Sequence, residues 1–489
     1  MTTLEQDWLR HYPSRLRAAL GEVVAASGAP WYVAGGAVRD WLLGNAARDL
    51  DFTVPAGAVS LARRLAKGLG GVFVLLDAEE EAARVVWQGY TLDLASFREG
   101  SRTIEEDLTR RDFTINALAV AMAPAEGALA PPYALIDPSG GVADLAARRI
   151  RHPAAAAFRR DPLRLLRAYR FQATLGFALA PETARQIEAE RELIRRSAPE
   201  RIAYELDRIL AAAAGAAPVF EGMAASGLLF EVLPELRPGV GMAQPSSHHL
   251  DVFGHGLRAV ACLAEICAEP GRFFRDPSPL VAYLADARRR LHLAWAALLH
   301  DVGKPVRFAL RDGRITFYNH DHAGREISDQ VALRLRFSRE RRERVGRLIG
   351  HHMWPFHLSN ARRKNPLTPR ACLRLIRAIG DDLPGLFLLA MADSLAGEGP
   401  GKPADTEAAL ADLYNEVLVV YEARVRPVLS GPPLLTGHDL QALFGLAPGP
   451  RLGILLRGLE GARVAGAVRN RDEAVAWVRR ELAILGGEK

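Results

Sequence analysis

The sequence predicts an α/β domain at the N-terminus followed by a mostly α-helical body. Short apolar or alternating runs that are typical of strands are found within the first 125 residues. After Asp137, apolar residues recur almost without interruption at the spacing of amphipathic helices. The length of 489 residues corresponds to three or four domains.

Helices and strands alternate in the N-terminal part. A first helix is predicted within residues 1–30, ending near Gly28, because glycine commonly follows the last helical turn. The alternation in DLDFTV, and apolar runs bounded by turn residues elsewhere, predict the strands; spaced apolar residues predict the helices. The predicted strands are 31–35, 49–54, 71–76, 83–88 and 90–97, and the predicted helices are 37–43 and 59–69.

The body divides at two segments rich in small residues. Residues 238–247 contain Pro, Gly and Ser, and residues 397–405 read GEGPGKPAD, so both segments are interpreted as linkers. Between them lies a helical block that carries most of the histidines. The predicted domains are a head at 1–150, a helical neck at 151–240, a histidine-containing domain at 246–398 and a helical tail at 406–489.

The composition is that of a globular protein, which excludes a wholly disordered or fibrous chain. The formal net charge of +6 permits a polyanionic partner, although a GC-rich coding bias explains most of the arginine excess. Three cysteines give no disulfide framework and indicate a reducing compartment. Neither a signal peptide nor a membrane-spanning stretch is apparent, so a soluble cytoplasmic protein is expected.

A glycine turn marks the first candidate site. Gly35 and Gly36 follow a predicted strand and open a helix, where backbone N–H groups can approach a phosphate with no Cβ in the way. Taken alone, two glycines at such a turn are better explained by a tight turn.

Paired carboxylates follow this turn. Asp49 and Asp51 lie two residues apart on a predicted strand, so their side chains share a face, and Asp93 on a later strand can converge with them. Three such carboxylates can hold two Mg²⁺ ions for in-line phosphoryl or nucleotidyl transfer. A lone Asp-x-Asp is more simply a solvated strand face, but the glycine turn fourteen residues upstream favours the cation site.

Five motifs occur in order along the first third of the chain. They are GGAVRDWLLGNAARDLDFTV (35–54), DLASFREG (93–100), EDLTRRDFTINALA (106–119), DPSGGVADLAARRIR (137–151) and RDPLRLLRAYRF (160–171). Together they resemble the tRNA nucleotidyltransferase and bacterial poly(A) polymerase family. This resemblance implies a polymerase-β-like head with a mixed sheet, which adds nucleotides from CTP and ATP to the 3′ end of tRNA.

The resemblance also implies roles for individual residues. Asp49 and Asp51 match the Mg²⁺-binding catalytic pair, and Asp93 matches the third carboxylate. Gly35, Gly36 and Arg39 match the triphosphate-binding turn. The segment that contacts the sugar and phosphates is matched by Arg111, Asp112 and Asn116.

A second pair of residues can select the base. Asp161 and Arg164 are three apart on a predicted helix, where they share a face. Arginine only donates and aspartate only accepts, which suits the edges of cytosine and adenine but not those of guanine and uracil. In the family this pair is the amino-acid template; the alternative is an ordinary surface ion pair. Arg160 stands where the family has glutamate, which leaves open whether the product is CCA, CC, A or a poly(A) tail.

A histidine–aspartate set in the body resembles the HD phosphohydrolase family. His255, His300, Asp301 and Asp393 match its four metal-ligand positions, and His322 and His351, or His352, resemble the additional ligands of dinuclear members. Imidazole and carboxylate together suit a divalent transition metal or Mg²⁺. A helical domain whose histidines only pack or face solvent is the alternative. Active relatives cleave 2′,3′-cyclic phosphates or 2′-phosphates.

The tail has glycines around a Pro-Gly-Pro turn at 437–459, which predicts a contact with an RNA phosphate backbone or a simple helix-capping turn.

The main hypothesis is a template-independent tRNA nucleotidyltransferase. Three alternatives remain: a poly(A) polymerase, a metallophosphohydrolase with a nucleotide-binding head, and a non-catalytic RNA-binding adaptor.

Overall fold

The computed structural model describes residues 2–4, 7–98, 100–122, 124–125, 128–129 and 133–486. The chain forms two compact units. The first consists of Met1–Ile209 and Gly222–Val232, and the second of Leu210–Glu221 and Leu233–Lys489. The predicted fold class, a mixed-sheet α/β head followed by a mostly helical body, is confirmed.

The first unit contains a mixed eight-stranded sheet in the order β1-β10-β7-β2-β3-β6-β5-β4. Strands β3 and β6 run parallel, whereas the other neighbouring strands are antiparallel. The strands are Thr2–Leu4 (β1), Trp31–Ala34 (β2), Asp49–Val54 (β3), Val72–Asp77 (β4), Ala82–Trp87 (β5), Tyr90–Ser96 (β6), Ala119–Met122 (β7), Pro124–Ala125 (β8), Ala128–Leu129 (β9) and Tyr133–Ile136 (β10). Strands β8 and β9 pair with each other as a separate ribbon.

Helices pack on this sheet and continue into the neck. Those up to residue 232 are Ser14–Ser27 (α1), Gly36–Leu42 (α2), Ala58–Leu69 (α3), Ile104–Thr109 (α4), Gly141–Ala146 (α5), Ala157–Arg160 (α6), Arg164–Leu175 (α7), Pro181–Glu190 (α8), Pro199–Leu210 (α9), Ala216–Ala225 (α10) and Leu228–Val232 (α11). The first helix ends before Gly28 as predicted but begins only at Ser14. Tyr12 is extended because it precedes Pro13, and this conformation keeps the preceding residues out of the helix.

Alternation along β3 divides the sheet into a core face and a cleft face. Leu50, Phe52 and Val54 are buried, and the Phe52 ring packs on Trp31 with ring centroids 5.8 Å apart. Asp49 and Asp51 point to the other face because successive strand side chains alternate. The same hydrophobic pattern that builds the core therefore places the two carboxylates outside it.

A further short strand pair, Arg149–Ile150 (β11) and Ala178–Leu179 (β12), lies in the first unit. Among its described residues, the second unit has helices and one short hairpin, Ala309–Arg311 (β13) and Arg314–Thr316 (β14). Its helices are Val252–Ala268 (α12), Ser278–Leu284 (α13), Ala287–Leu299 (α14), Lys304–Arg307 (α15), His320–Arg334 (α16), Arg339–His351 (α17), Trp354–Arg362 (α18), Pro369–Ile379 (α19), Leu383–Ala396 (α20), Thr406–Val420 (α21), Arg426–Ser430 (α22), Gly437–Phe444 (α23), Pro450–Val464 (α24) and Arg471–Gly486 (α25). A π-helical turn at Tyr421–Val425 joins α21 to α22.

Helix α20 is the centre of this unit. Nearly all of its residues are buried, as expected for a helix that is hydrophobic all round, and it packs on α12, α14 and α21. Asp393 is one of its few polar residues. A carboxylate in such surroundings requires a charged or hydrogen-bonding partner.

The two segments interpreted as linkers in the second unit contact each other. The Gly399 N–H donates to the Ser247 carbonyl at 2.9 Å, and the Gly401 N–H donates to the Ser246 carbonyl at 2.9 Å. A Cβ on Gly399 would lie 2.3 Å from the Ser246 carbonyl oxygen, so glycine is what permits this close approach. None of the helices among the described residues has the length and apolar character required to cross a membrane.

Candidate active site and metal centre

The turn from β2 into α2 forms one wall of a cleft in the head. Gly35 has φ +79°, and a Cβ there would lie 2.8 Å from Arg111 Nη1 and 3.1 Å from Asp51 Oδ2. The Gly35 N–H is already bound to the Leu118 carbonyl at 3.0 Å. Gly35 therefore provides space for Arg111 and Asp51 rather than a free backbone donor.

The three predicted carboxylates lie on neighbouring parallel strands. Asp51 of β3 stands opposite Asp93 of β6 in the strand register, and Asp49 stands opposite Thr91. Burial raises the pKa of Asp51; Arg111 opposes the shift, and the carboxylates of Asp93 and Asp49 add to it. This mutual repulsion is the electrostatic condition in which a divalent cation binds favourably.

Arg84 is a neighbour of this group that the sequence did not reveal. It faces Asp93 across β5 and β6 and donates two hydrogen bonds to its carboxylate, at 2.7 and 2.8 Å. Among the described residues, the groups of three potential ligand atoms within 4.8 Å of one another all lie in the body. Among the described residues, Asp49 and Asp51 form no ion pair, although Arg111 lies beside Asp51, whereas Asp93 is held by Arg84.

A hydrogen-bonded network forms another wall of the same cleft. Arg39 Nη1 donates to Asn116 Oδ1 at 2.8 Å, and Asn116 Nδ2 donates to Asp112 Oδ1 at 3.0 Å. Arg167 Nε donates to Asp112 Oδ2 at 2.9 Å. Burial alone would raise the pKa of Asp112, but its ion pair with Arg167 holds it well below the usual range. Asp112 is therefore an anion that orients its neighbours.

Buried Arg111 is fixed separately. Its Nη2 donates to Thr53 Oγ1 at 2.9 Å, and its Nε lies 3.4 Å from Asp107 Oδ2. Its charge lies beside Asp51, which places a fixed cation next to the paired carboxylates.

Asp161 and Arg164 both line the cleft, but the prediction that they share a helix is wrong. Asp161 is extended, and α7 begins only at Arg164. The cause is Pro162, because a residue before proline is driven out of the helical conformation. Asp161 forms an ion pair with Arg201 at 3.2 Å, so the interpretation as a mutual surface ion pair is also wrong.

Backbone carbonyls aim the Arg164 side chain. Its Nη2 donates to the Arg110 carbonyl at 2.7 Å, and its Nη1 donates to the Arg111 carbonyl at 3.0 Å and the Ala157 carbonyl at 3.4 Å. Arg160 is exposed at the end of α6. The orientation of Arg164 therefore does not depend on a carboxylate at position 160.

The cleft has a volume of about 480 Å³, enough for a nucleotide. It gathers ten of the eleven predicted head residues, all except Asp49. Its lining includes Gly35, Gly36, Arg39, Asp51, Asp93, Arg111, Asp112, Asn116, Asp161 and Arg164, together with Arg98, Arg167, Arg170 and Phe171. Sequence reasoning missed the last four; the helical spacing of 164, 167 and 171 in α7 is the signal that marks two of them.

A second, separate constellation lies inside the body. His255 of α12, His300 and Asp301 after α14, and Asp393 of α20 are buried together. His255 Nε2 lies 2.9 Å from Asp393 Oδ1, and His300 Nε2 lies 3.2 Å from Asp301 Oδ2. Burial alone lowers the pKa of His300, but the two carboxylates raise it to about 10. A bound cation can take the place of that proton.

The sequence proposes His322, with His351 or His352, as additional ligands, and of these three the geometry supports His352. His320, rather than His322, and His352 form the cluster with Asp301, with Nε2 atoms 3.3 and 3.8 Å from Asp301 Oδ1. Adjacent helix positions differ by about 100° in direction, so a shift of one or two residues changes which imidazole faces Asp301. His322 and His351 line the cavity outside the cluster.

Backbone carbonyls orient three of these imidazoles. The Nδ1 atoms of His300, His320 and His352 lie 2.8, 2.9 and 2.7 Å from the carbonyls of Ala297, Phe317 and Ile349, three residues earlier in each case. Each Nδ1–H donates to its carbonyl, which leaves a lone pair on Nε2. The Nε2 atoms of His320 and His352 then face each other at 3.2 Å, an arrangement that requires a cation or a proton between them. The residues present therefore fit a divalent metal.

The cluster opens on a cavity of about 860 Å³. Lys304 lies at its edge, with Nζ 2.6 Å from Asp301 Oδ2 and 2.7 Å from Gln244 Oε1. Aromatic side chains including Tyr318 and Trp354 complete the walls. The cavity therefore combines a cation cluster with a surface for a planar or apolar group.

Comparisons with protein families match the parts of the chain that contain the two sites. The family described as "Poly A polymerase head domain" matches residues 31–151, "Probable RNA and SrmB- binding site of polymerase A" matches 176–239, and "HD domain" matches 252–382. An A-adding tRNA nucleotidyltransferase of Deinococcus radiodurans is 37% identical, with 91% of this chain and 94% of the relative covered. A CC-adding tRNA nucleotidyltransferase of Thermus thermophilus is 35% identical, with 91% and 92% covered.

Solved structures share the fold. A CCA-adding enzyme in complex with ATP is 21% identical, with a TM-score of 0.64 and 96% of this chain and 95% of that chain covered. The Thermotoga maritima CCA-adding enzyme complexed with tRNA is 21% identical, with a TM-score of 0.59 and 97% of each chain covered.

Proposed function

Because the chain belongs to the tRNA nucleotidyltransferase and poly(A) polymerase family, we propose that its head adds nucleotides from CTP or ATP to the 3′ end of tRNA. The observation that carries this proposal is Asp51 beside Asp93 on the wall of a cleft that also contains Asp161 and Arg164. The cytoplasm is the expected setting of the reaction.

Asp49 and Asp51, with Asp93, would hold Mg²⁺, which on binding lowers the pKa of the RNA 3′-hydroxyl and stabilises the leaving pyrophosphate. The chain itself supplies the remaining charges. Arg39 and Arg111 line the cleft next to Asp51 and would bind the triphosphate. Asn116 and Asp112 are held in place by Arg39 and Arg167 and would accept the ribose hydroxyls.

Base selection is assigned to Asp161 and Arg164. Asp161 accepts from Arg201, and Arg164 donates through Nη1 and Nη2 to backbone carbonyls, which leaves the remaining lone pairs of Asp161 and the Nε–H of Arg164 for a base. Arg164 can donate to the ring nitrogen and Asp161 can accept from the exocyclic amine of cytosine or adenine. Guanine and uracil would leave these groups unpaired, at a cost of about 1–3 kcal/mol for each group.

Replacing Asp161 with alanine is therefore expected to reduce selection of CTP and ATP over UTP and GTP by about 10–100-fold. The measurement is single-turnover addition to trimmed tRNA with each NTP in turn. Arg160→Ala is the matched control, and its selectivity should equal that of the unmodified protein. Equal selectivity in Asp161→Ala would remove this residue from the recognition of the base.

The same assay tests the product. We propose that the enzyme adds one part of CCA, because the relatives described above include one A-adding and one CC-adding enzyme. We expect extension either of tRNA lacking CCA with CTP or of tRNA ending in CC with ATP, but not of both. Long tails from ATP alone would instead identify a poly(A) polymerase, and no incorporation would indicate an adaptor or a phosphohydrolase.

The body is proposed to be a metal-dependent phosphohydrolase acting on RNA ends that carry a 2′,3′-cyclic phosphate or a 2′-phosphate. The carbonyl-oriented imidazoles around Asp301 favour this function. They would hold Mg²⁺ or a divalent transition metal, which supplies a nucleophilic hydroxide at neutral pH. Lys304 carries a positive charge at the cavity edge that would face the phosphate.

The domain division 1–150, 151–240, 246–398 and 406–489 is retained as a proposal, with nucleotide selection and RNA binding assigned to the neck and tRNA binding to the tail. A groove of about 1010 Å³ between α19, α24 and α25 supports the assignment of the tail. Arg370, Arg374 and Arg377 share one face of α19, and Arg457 lies across from them. Trp354 lines both this groove and the metal-site cavity, which favours one RNA as the occupant of both.

Three of these four arginines, Arg370, Arg374 and Arg457, form no ion pair among the described residues, although Glu481 also lines the groove. The fourth, Arg377, pairs with Glu460. Trp477 of α25 lies in the same groove and can stack on a base or sugar. Unpaired guanidinium groups and half-buried aromatic rings together fit a nucleic-acid backbone.

Arg374→Glu and Arg457→Glu are therefore expected to weaken tRNA binding about 10-fold or more and to reduce the slope of log affinity against log salt by about one for each residue. The affinity is measured by fluorescence anisotropy from low to moderate salt. Arg479→Glu on α25, which is exposed and not part of the groove lining, is the matched control. Equal loss in all three variants would show only a general effect of net charge.

A further inference from the structure

His248 is a histidine at the body site that the ligand set above does not use. It lies on the cavity wall ahead of α12. One nitrogen of its ring lies within 4.8 Å of ligand atoms of both His255 and Asp393. Those two atoms also lie within 4.8 Å of each other. The rings of His248 and His255 are 4.7 Å apart between centroids and nearly perpendicular, at 74°.

These separations are close to those between two ligand atoms that bind the same metal ion. Bonds of about 2.0–2.2 Å keep any two ligand atoms of one metal ion within about 4.4 Å of each other. Small side-chain rotations would therefore bring the nitrogen of His248 into the coordination sphere of an ion bound by His255 and Asp393.

The main chain and one side chain fix the position of His248. Its N–H donates to the Pro245 carbonyl at 2.9 Å, and its Nδ1 lies 2.9 Å from Ser247 Oγ. The carbonyl of the preceding residue, Ser247, accepts a hydrogen bond from the Gly399 N–H. A Cβ on Gly399 would lie 2.5 Å from the main-chain nitrogen of His248. The ring is thus held with Nε2 left for another partner.

The surrounding charges favour a cation at this end of the cluster. Asp301 is paired with Lys304 at 2.6 Å, whereas among the described residues the ion partners of Asp393 are the imidazoles of His255 and His300. The Nδ1 atom of His255 is fully buried and has no hydrogen-bond partner in the described part of the chain. A buried carboxylate with only imidazoles around it requires a positive charge, which either a proton on His300 or a bound cation can supply.

We propose that His248 is a further protein ligand of the cation held by His255 and Asp393. The inference rests on the proposed cation site of the body and extends it by one donor. The added imidazole raises affinity for a divalent transition metal over Mg²⁺, because imidazole suits the former. The other role that the geometry allows, a contact with a substrate phosphate, leaves binding of the metal alone unchanged.

The test measures Co²⁺ binding without substrate or phosphate. The parent protein carries Asp49→Asn and Asp51→Asn, so that the head contributes no cation site. We expect His248→Gln to weaken Co²⁺ binding by at least about 10-fold in equilibrium dialysis and to change the visible absorption of the bound ion. His249→Gln, at the adjacent position, should match the parent.

Unfolding temperatures in EDTA show whether each variant is folded, and His248→Asn replaces the glutamine variant if that one is not. A His248 variant with the affinity and spectrum of the parent overturns the inference and leaves the proposed site intact. A parent that binds no Co²⁺ overturns the proposed site and the inference with it.

Discussion

Replacing Asp51 with alanine is expected to reduce nucleotide addition to tRNA by at least about 10⁴-fold. Asp51 lies opposite Asp93 in the sheet and beside Arg111, on the wall of the cleft. Loss of metal-ion stabilisation of a transition state is worth several kcal/mol, and each 1.36 kcal/mol is about tenfold in rate. The measurement is incorporation of α-labelled CTP or ATP into trimmed tRNA under single-turnover conditions.

Glu80→Gln is the matched control, because Glu80 is an exposed carboxylate in the turn between β4 and β5. It should transfer nucleotides at the rate of the unmodified protein. Full activity in Asp51→Ala would exclude the head cleft as the transfer site.

The raised pKa of Asp51 also predicts the direction in which its replacement changes the stability of the fold. The pKa of Asp51 is raised in the fold, so its charged form is disfavoured there and, in the absence of metal, reduces stability at neutral pH. Asp51→Asn should therefore raise the unfolding temperature of the head in EDTA, measured by calorimetry. Glu80→Gln should leave it unchanged.

Replacing His300 with alanine is expected to abolish phosphohydrolase activity in the body while nucleotide addition continues. His300 lies next to both carboxylates of the cluster, 3.2 Å from Asp301 and 3.6 Å from Asp393. Loss of a direct ligand should lower metal affinity by more than the about 10–100-fold that loss of an outer partner costs. Bound metal is measured by elemental analysis after dialysis, and hydrolysis is measured with nucleoside 2′,3′-cyclic phosphate.

His322→Ala is the control for this variant, because His322 lines the same cavity outside the cluster. It should retain the metal content of the unmodified protein. Equal metal loss in both variants would contradict the assignment of His320 and His352, rather than His322, as the histidines that face Asp301. A simultaneous loss of nucleotide addition in His300→Ala would show that the body metal also serves the head.

Much of the head could be predicted from the sequence, because its signals are local. The alternation of DLDFTV decides that Asp49 and Asp51 share the face opposite Leu50 and Phe52, and the structure confirms this arrangement. Gly28 ends the first helix, as its conformational freedom predicts. Pro162 also carried a local signal, because it excludes Asp161 from the helix, but the periodic pattern of the surrounding residues obscured it.

Other features depend on which segments meet in space. Arg84 is an ordinary strand residue until the register of β5 and β6 places it opposite Asp93. Arg201 is likewise forty residues from Asp161 in sequence and becomes its ion partner only through packing of the neck. Cross-strand and interhelical partners are set by register and docking, which no local window of sequence contains.

The histidines of the body show which features the sequence determines and which depend on the tertiary structure. The sequence by itself determined that two histidine-containing segments, NHDHAG and GHHM, accompany the His300–Asp301 pair. Only the tertiary structure decided that His320 and His352, rather than His322 and His351, face Asp301. The rotation of each helix about its axis is fixed by the apolar surface that it buries against distant helices, and successive side chains differ by about 100° in direction.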